Sequence, residues 1–297
     1  MALLELVMSR DVYAAGSRVS GVVVLRPRKP LRIRSLDVTV TGVEFPAAAK
    51  ARRSAPFFVR SLLLSGAVAP VSTAERARIA WNAFLGRDQG RRICAGEHIY
   101  PFSIPIPASL PPSYCGKAGA INYTVTARMS YPLAGSTTAS QEIVVVFVPR
   151  QARVRPVAMS YPSANGEVSS SGVSLNLELP DRVIKTGSAL HGTFTLANPD
   201  RAVVRQVTVS LEVCEWVRAE SSKEIHRAVV QSHTFVPEDP TSPEFACDYS
   251  LHVPGDAIPT VEGTAISVIW LLKVRIETEP ALEFKTPITV YSDTGLA

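Results

Sequence analysis

The sequence predicts an all-β fold of two β-sandwiches in tandem, with one short helix in the first. Three observations predict it: an internal repeat, a period of two in hydrophobicity, and turn residues that bound each apolar run. Gly16-Ser17-Arg18-Val19-Ser20-Gly21-Val22-Val23-Val24-Leu25 aligns with Gly187-Ser188-Ala189-Leu190-His191-Gly192-Thr193-Phe194-Thr195-Leu196, and the register then holds without a gap. Arg34, Leu36, Val38, Val40 and Glu44 fall on Arg205, Val207, Val209, Leu211 and Glu215. A weaker second block follows in each half, Phe102-Ser103-Ile104-Pro105-Ile106-Pro107 answering Tyr249-Ser250-Leu251-His252-Val253-Pro254. What recurs is a strand framework with its turns and no catalytic-looking residue, so function is expected from the surfaces the domains present.

Taken in order, the elements support this reading. In Leu36–Gly42 and Val207–Val213 the apolar side chains alternate, the period of a half-buried strand with one core face and one wet face. Further strand runs are Ile121–Met129, Ile143–Val148, Val173–Leu179, Ile266–Ile276 and Leu282–Tyr291, rich in Val, Ile, Thr and aromatics. About seven strands per half suit a sandwich. Gly21 and Gly192 lie inside strands, where a bulge or a close backbone approach is expected. Proline gathers in the connections Pro27–Pro30 and Pro105–Pro112, where it cannot disturb a central ladder. Pro149–Pro156 closes the first domain, and Ser160–Gly172, rich in serine and small residues, reads as loop. The expected division is a first domain over 1–150, a linker over 151–165 and a second domain over 166–297.

One segment departs from the strand rhythm. Ser72-Thr73-Ala74-Glu75 is a capping-box signature and Gly86 a left-handed stop, which predicts a helix of about three turns between them. Ala77, Ala80, Trp81 and Phe84 share its apolar face by spacing. That face either packs on the sandwich or touches a membrane. In the second case Trp81 and Phe84, with Arg87, Arg91 and Arg92 just beyond, are the candidate contacts with anionic lipid.

A chain of 297 residues suits two domains, each large enough for its own core. Cys94, Cys115, Cys214 and Cys247 show no C-x-x-C pairing and no regular spacing, so neither a zinc site nor a disulfide framework is expected. The amino terminus lacks a cationic region before its first apolar residues, and no apolar run approaches the roughly 18 residues of a membrane span. The expectation is a cytoplasmic protein, at most peripheral at membranes or endosomes.

Charge is unevenly divided. Residues 1–150 carry 19 Lys+Arg against 8 Asp+Glu, a balance of +11, while residues 151–297 carry 12 against 18, a balance of −6. Such a split can steer an anionic partner to one half, and it can also help the halves associate. Within the first half, Arg26, Arg28, Lys29, Arg32 and Arg34 surround the Pro27–Pro30 connection, and Lys50, Arg52 and Arg53 form a second group. They are either a solvated face or an anion site, with phosphopeptide and phosphoinositide as the leading ligands, because the guanidinium fork matches phosphate oxygens. Nucleic acid is not expected: the basic residues are not interleaved with aromatics and match no DNA or RNA module. His98, His191, His226, His233 and His252 are scattered, and no H-x-E, H-E-x-x-H or G-x-S-x-G motif occurs, so no enzymatic site is indicated.

A family likeness covers nearly the whole chain, its most specific motifs lying in the first half and the second half repeating the strand pattern and ending in a W-L-L-K-V strand, Trp270–Val274. Val12-Tyr13-Ala14-Ala15-Gly16-Ser17-Arg18-Val19-Ser20-Gly21-Val22-Val23 resembles the second-strand signature of the arrestin superfamily. Gly96-Glu97-His98-Ile99-Tyr100-Pro101-Phe102-Ser103-Ile104-Pro105-Ile106-Pro107 is similar to that family's G-x-H-x-F/Y-P-F-x-x-x-I/L-P block. Leu110-Pro111-Pro112-Ser113-Tyr114 and Gly119-Ala120-Ile121-Asn122-Tyr123 resemble its following turn and strand. The likeness lies between classical and alpha-arrestins. It implies two immunoglobulin-like sandwiches and a non-enzymatic adaptor without a cofactor. The implied partners are membrane-protein tails or trafficking and ubiquitination machinery. The chain stops soon after its last strand, so the tail that recruits clathrin adaptors or ubiquitin ligases in many arrestins is expected to be missing. No residue series matches the charged inter-domain cluster of classical arrestins. Two other readings stay open: a constitutive coat subunit in the manner of retromer's arrestin-like component, and a sandwich with small-ligand binding or hydrolytic activity. Pro111-Pro112-Ser113-Tyr114 is formally a P-P-x-Y ligand for WW domains, or else a structural turn.

Overall fold

The computed structural model describes residues 3–47, 56–65, 91–132, 135–149, 157–161, 163–164, 167–168, 173–218 and 222–292. The first half carries β1 (Leu3–Met8), β2 (Val12–Ala14), β3 (Arg18–Arg26), β4 (Leu31–Ile33), β5 (Ser35–Pro46), β6 (Pro56–Ser65), β7 (Arg91–Ile93), β8 (His98–Pro105), β9 (Tyr114–Gly116), β10 (Gly119–Ser130) and β11 (Ser136–Val146). The second carries β12 (Val157–Tyr161), β13 (Ser163–Ala164), β14 (Glu167–Val168), β15 (Ser174–Leu179), β16 (Val183–Lys185), β17 (Ala189–Ala197), β18 (Val207–Arg218), β19 (Ser222–Phe235), β20 (Glu244–His252), β21 (Val261–Glu262), β22 (Ile266–Ile276) and β23 (Leu282–Tyr291). The described residues contain no helix. The predicted helix over Ser72–Gly86 lies outside them, as do Lys50, Arg52, Arg53, Trp81, Phe84 and Arg87.

Both halves repeat one topology. In the first, the sheet β1-β3-β8 packs on the sheet β2-β11-β10-β5-β6, with β9 joined to β10. In the second, β12-β15-β17-β20 packs on β16-β23-β22-β18-β19, with β21 joined to β22. Even the parallel pairings recur, β2 with β11 and β16 with β23. The alternation seen in the sequence sets the two cores: Leu36, Val38 and Val40 on β5, and Val207, Val209 and Leu211 on β18, are fully buried. Aligned positions therefore face the core alike, as period-2 strands require. Part of the segment expected as a linker is strand, since Val157–Tyr161 pairs antiparallel with β15.

Two glycine positions explain why the repeat is legible. Gly16 and Gly187 sit at φ +84° and +80°, each two residues after a carbonyl that accepts from the next amide, Ser17 N to Ala14 O at 3.0 Å and Ser188 N to Lys185 O at 3.1 Å. That is the third position of a turn which needs positive φ, and glycine occupies it without strain. Gly21 and Gly192 serve the close approach expected of them. Gly21 lies opposite Phe102, and a Cβ there would run into Val7 O and come within 2.9 Å of the Phe102 ring. Gly192 lies opposite Tyr249, whose Oη would overlap such a Cβ.

The P-P-x-Y segment is a structural turn. Pro111, Pro112 and Tyr114 are buried, Tyr123 Oη donates to Pro111 O at 2.6 Å, and Ser113 Oγ accepts from Val145 N at 2.9 Å. A WW ligand must lie free along an aromatic groove, and this segment is fastened to β10 and β11.

Candidate binding surfaces

The alternation Leu31-Arg32-Ile33-Arg34 puts aliphatic and basic residues on opposite faces of an extended strand, and Arg91-Arg92-Ile93 places its aliphatic residue inward in the same way. β4 and β7 pair antiparallel as a two-stranded ribbon, with Leu31 opposite Ile93, Arg32 opposite Arg92 and Ile33 opposite Arg91. Ile33 and Ile93 are buried, which fixes the ribbon on the first core and turns Arg32 and Arg92 out to solvent. Like charges directly opposite on a ladder destabilise it. This ribbon thus gathers two sets of candidates that lay apart in sequence, one expected to bind anions and one to touch lipid.

The neighbouring cations divide by environment. Arg28 and Lys29 are exposed in the connection just before β4. Arg34, also exposed, donates its backbone amide to Ser130 O at 2.7 Å and lines an open cleft of about 590 Å³ with Ser35, Arg128, Ser130 and Tyr131. Arg26 is already engaged on the outer face of β3. Its Nε meets Glu97 Oε2 at 2.6 Å and its NH1 meets Glu5 Oε2 at 2.8 Å, which raises its pKa further above the ordinary arginine value, Glu97 contributing most. An added anion would have to displace two carboxylates there, so Arg26 orients strands β1, β3 and β8 and is the weakest of the candidates.

A surface with no counterpart among the sequence-derived candidates surrounds that arginine. Leu3 and Val7 on β1 and Ile99 on β8 are exposed beside the Arg26 ion pairs. The signal was present in Leu3-Leu4-Glu5-Leu6-Val7, which is apolar on both faces rather than alternating. In the second half, a cleft of about 640 Å³ is lined by Phe235, Val236, Pro237, Glu238, Asp239 and Phe245 among others.

His98 Nε2 lies 3.0 Å from Cys94 O, a local structural contact. Burial pushes the Cys214 and Cys247 thiols above their ordinary range, the opposite of an activated nucleophile. Among the described residues no group of three or more His, Cys, Asp or Glu is placed to hold a metal ion, and no helix is long and apolar enough to cross a membrane.

Comparison with known proteins agrees with the geometry. The family model for the arrestin (or S-antigen) N-terminal domain matches residues 3–149. An arrestin domain-containing protein of Schizosaccharomyces pombe is 24% identical over 189 residues, covering 61% of this chain and 29% of that relative. With these matches, and with the main strand order of the sandwich recurring in both halves, the chain belongs to the arrestin superfamily.

Proposed function

We propose that this chain is a non-enzymatic adaptor that binds the phosphorylated or acidic tails of membrane proteins through the β4–β7 ribbon, within protein sorting or signalling. Arrestin proteins are in general adaptors with protein partners, and the single observation that supports the finer reading is the Arg32–Arg92 pair set face to face on an exposed ladder. Two exposed arginines at directly opposed positions of a ladder can offer guanidinium donors that a phosphate or carboxylate accepts from in bidentate fashion. Arg28, Lys29 and Arg34 extend the basic field around the pair, and the +11 balance of residues 1–150 steers anions toward it. Lys50, Arg52 and Arg53 belong to the same proposal, as do Trp81, Phe84 and Arg87 if a membrane lies beside the tail. We place the protein in the cytoplasm, peripheral at membranes, with its first domain over 1–150 and its second over 166–297 extended by β12, which pairs with β15.

The test is the full-length double variant Arg32→Gln/Arg92→Gln, with Arg218→Gln/Lys223→Gln in the second half as a charge-matched control. Fluorescence anisotropy with a multiply phosphorylated peptide and sedimentation with phosphoinositide vesicles separate the two sources of phosphate. Loss of hydrogen bonds to a charged group weakens binding by roughly tenfold or more, and the peptide arm is expected to show that loss while the control does not. Unchanged peptide binding would remove the ribbon from the reading. A loss confined to vesicles would move it to lipid.

A further inference from the structure

Two buried glutamates join the halves of the molecule in a reciprocal way. Glu44, near the end of β5, accepts from the backbone amides of the turn between β21 and β22: Thr264 N to Oε1 at 2.7 Å, Ala265 N to Oε2 at 2.6 Å and Ile266 N to Oε2 at 3.1 Å. Glu215, on β18, accepts through Oε2 from the turn between β9 and β10: Lys117 N at 2.7 Å and Ala118 N at 3.1 Å, with the Tyr114 hydroxyl as a third donor. Both glutamates are almost wholly buried, at 6% and 2% exposure.

The two contacts are the same contact seen from either side. Glu44 and Glu215 are aligned positions of the sequence repeat, lying opposite Ile121 on β10 and Val268 on β22. Tyr114 opposes Ile121 and Val261 opposes Val268, so Gly116-Lys117-Ala118 and Gly263-Thr264-Ala265 occupy equivalent places in the two hairpins. A patch that meets its own equivalent is the signature of an isologous interface, here folded into one chain.

Both hairpins also carry a glycine beside the incoming carboxylate. A Cβ on Gly263 would lie 2.7 Å from Ile266 O in its own hairpin and 2.8 Å from Glu44 Oε1, and a Cβ on Gly116 would overlap the Tyr114 hydroxyl and lie 2.6 Å from Glu215 Oε2. Each glycine thus leaves room for its own hairpin and for the carboxylate of the other half together. A buried carboxylate is costly unless its lone pairs are met by donors, and each half meets the other's.

We propose that Glu44 and Glu215 form a carboxylate clasp that sets the angle between the two halves, with either contact able to serve as pivot when the other opens. Closed, the pair holds the sandwiches as one body. Any ligand that reorients the halves has to take at least one carboxylate off its amides.

The test uses the full-length chain with hydrogen exchange and small-angle scattering. Glu44→Ala is expected to speed exchange of the Thr264–Ile266 amides by roughly ten- to a hundredfold, the range for losing hydrogen bonds to a charged group, and to leave Lys117 and Ala118 protected. Glu215→Ala should give the mirror result. The double variant should release both turns and raise the radius of gyration, with β10 and β22 as protected as before. Gly263→Ala and Gly116→Ala keep both glutamates but crowd Ile266 O and the Tyr114 hydroxyl as well as the carboxylates, so they should release the same amides together with a local loosening of their own hairpins. The proposal fails if the double variant scatters like the parent. It also fails if protection falls uniformly through β10 and β22 in both the glutamate and the glycine variants, because the carboxylates would then hold the sandwiches together internally and not the angle between them.

Discussion

Tyr249 is the residue at which the two copies disagree most instructively. Its ring fills the space left by Gly192, as the Phe102 ring fills that of Gly21, yet its buried Oη has no hydrogen-bond partner among the described residues and burial raises its pKa. An unsatisfied buried hydroxyl costs about 1–3 kcal/mol relative to a paired one, and the first half shows that the site accepts a phenyl ring. Tyr249→Phe is therefore expected to be neutral or to stabilise by up to about 1 kcal/mol, read as a higher urea midpoint at unchanged slope. A clear drop in the midpoint would mean that the hydroxyl has a partner. The glycines themselves were legible as sites of close approach, because a glycine inside a β-branched run weakens the strand and is kept where a neighbouring group needs the space of its missing side chain. Their aromatic partners were not, since cross-strand register depends on which strands pair, and Gly21 and Phe102 are brought together only by the β3–β8 ladder.

Charge placement sets the character of individual elements. On the outer face of the second half, Glu224, Arg227, Glu212, Lys273 and Glu283 run across β19, β18, β22 and β23, with contacts of 2.7 Å for Arg227–Glu224, 3.3 Å for Arg227–Glu212 and 3.0 Å for Lys273–Glu283. Hydrogen bonding from Arg227 holds the Glu224 carboxyl below its ordinary 4.5, and Lys273, then Lys285, does the same for Glu283. Folded-state values below the unfolded ones mean that this stabilisation is complete above the ordinary carboxylate pKa and is lost as pH falls through the lower folded values. The urea midpoint should accordingly fall as pH drops below 4.5, and Glu224→Gln/Glu283→Gln should flatten that fall. An identical pH profile in the variant would reduce the network to surface decoration, the ordinary fate of exposed ion pairs. At this scale the sequence was most informative where alternation was regular, as in β5 and β18. It was least so for the short ribbon: three-residue strands carry too little pattern for pairing to be read, and β4 and β7 are separated by the whole of β5 and β6.

For the molecule as a whole, the opposite balances of +11 and −6 were plain in the sequence, whereas the clasp was not, because a carboxylate seated on backbone amides about 220 residues away leaves no side-chain signature. Its written traces are the alignment of Glu44 with Glu215 in the repeat and the recurrence of Gly-x-Ala at Gly116–Ala118 and Gly263–Ala265, on the offset that relates Phe102 to Tyr249, and neither says that the glutamate of one half meets the turn of the other. Two forces could then keep the halves together, the long-range field and the buried clasp, and salt separates them. Exposed charges interact over about 10 Å at 0.1 M ionic strength and about 3 Å at 1 M, while buried hydrogen-bonded groups are screened far less. Raising salt from low to about 1 M should therefore strip anionic ligands from the first half. It should leave the radius of gyration of the free protein and the slow exchange of Lys117, Ala118, Thr264 and Ala265 unchanged. Expansion of the free protein with salt would show that attraction between the oppositely charged halves carries the interface, with Glu44 and Glu215 merely accommodated in it.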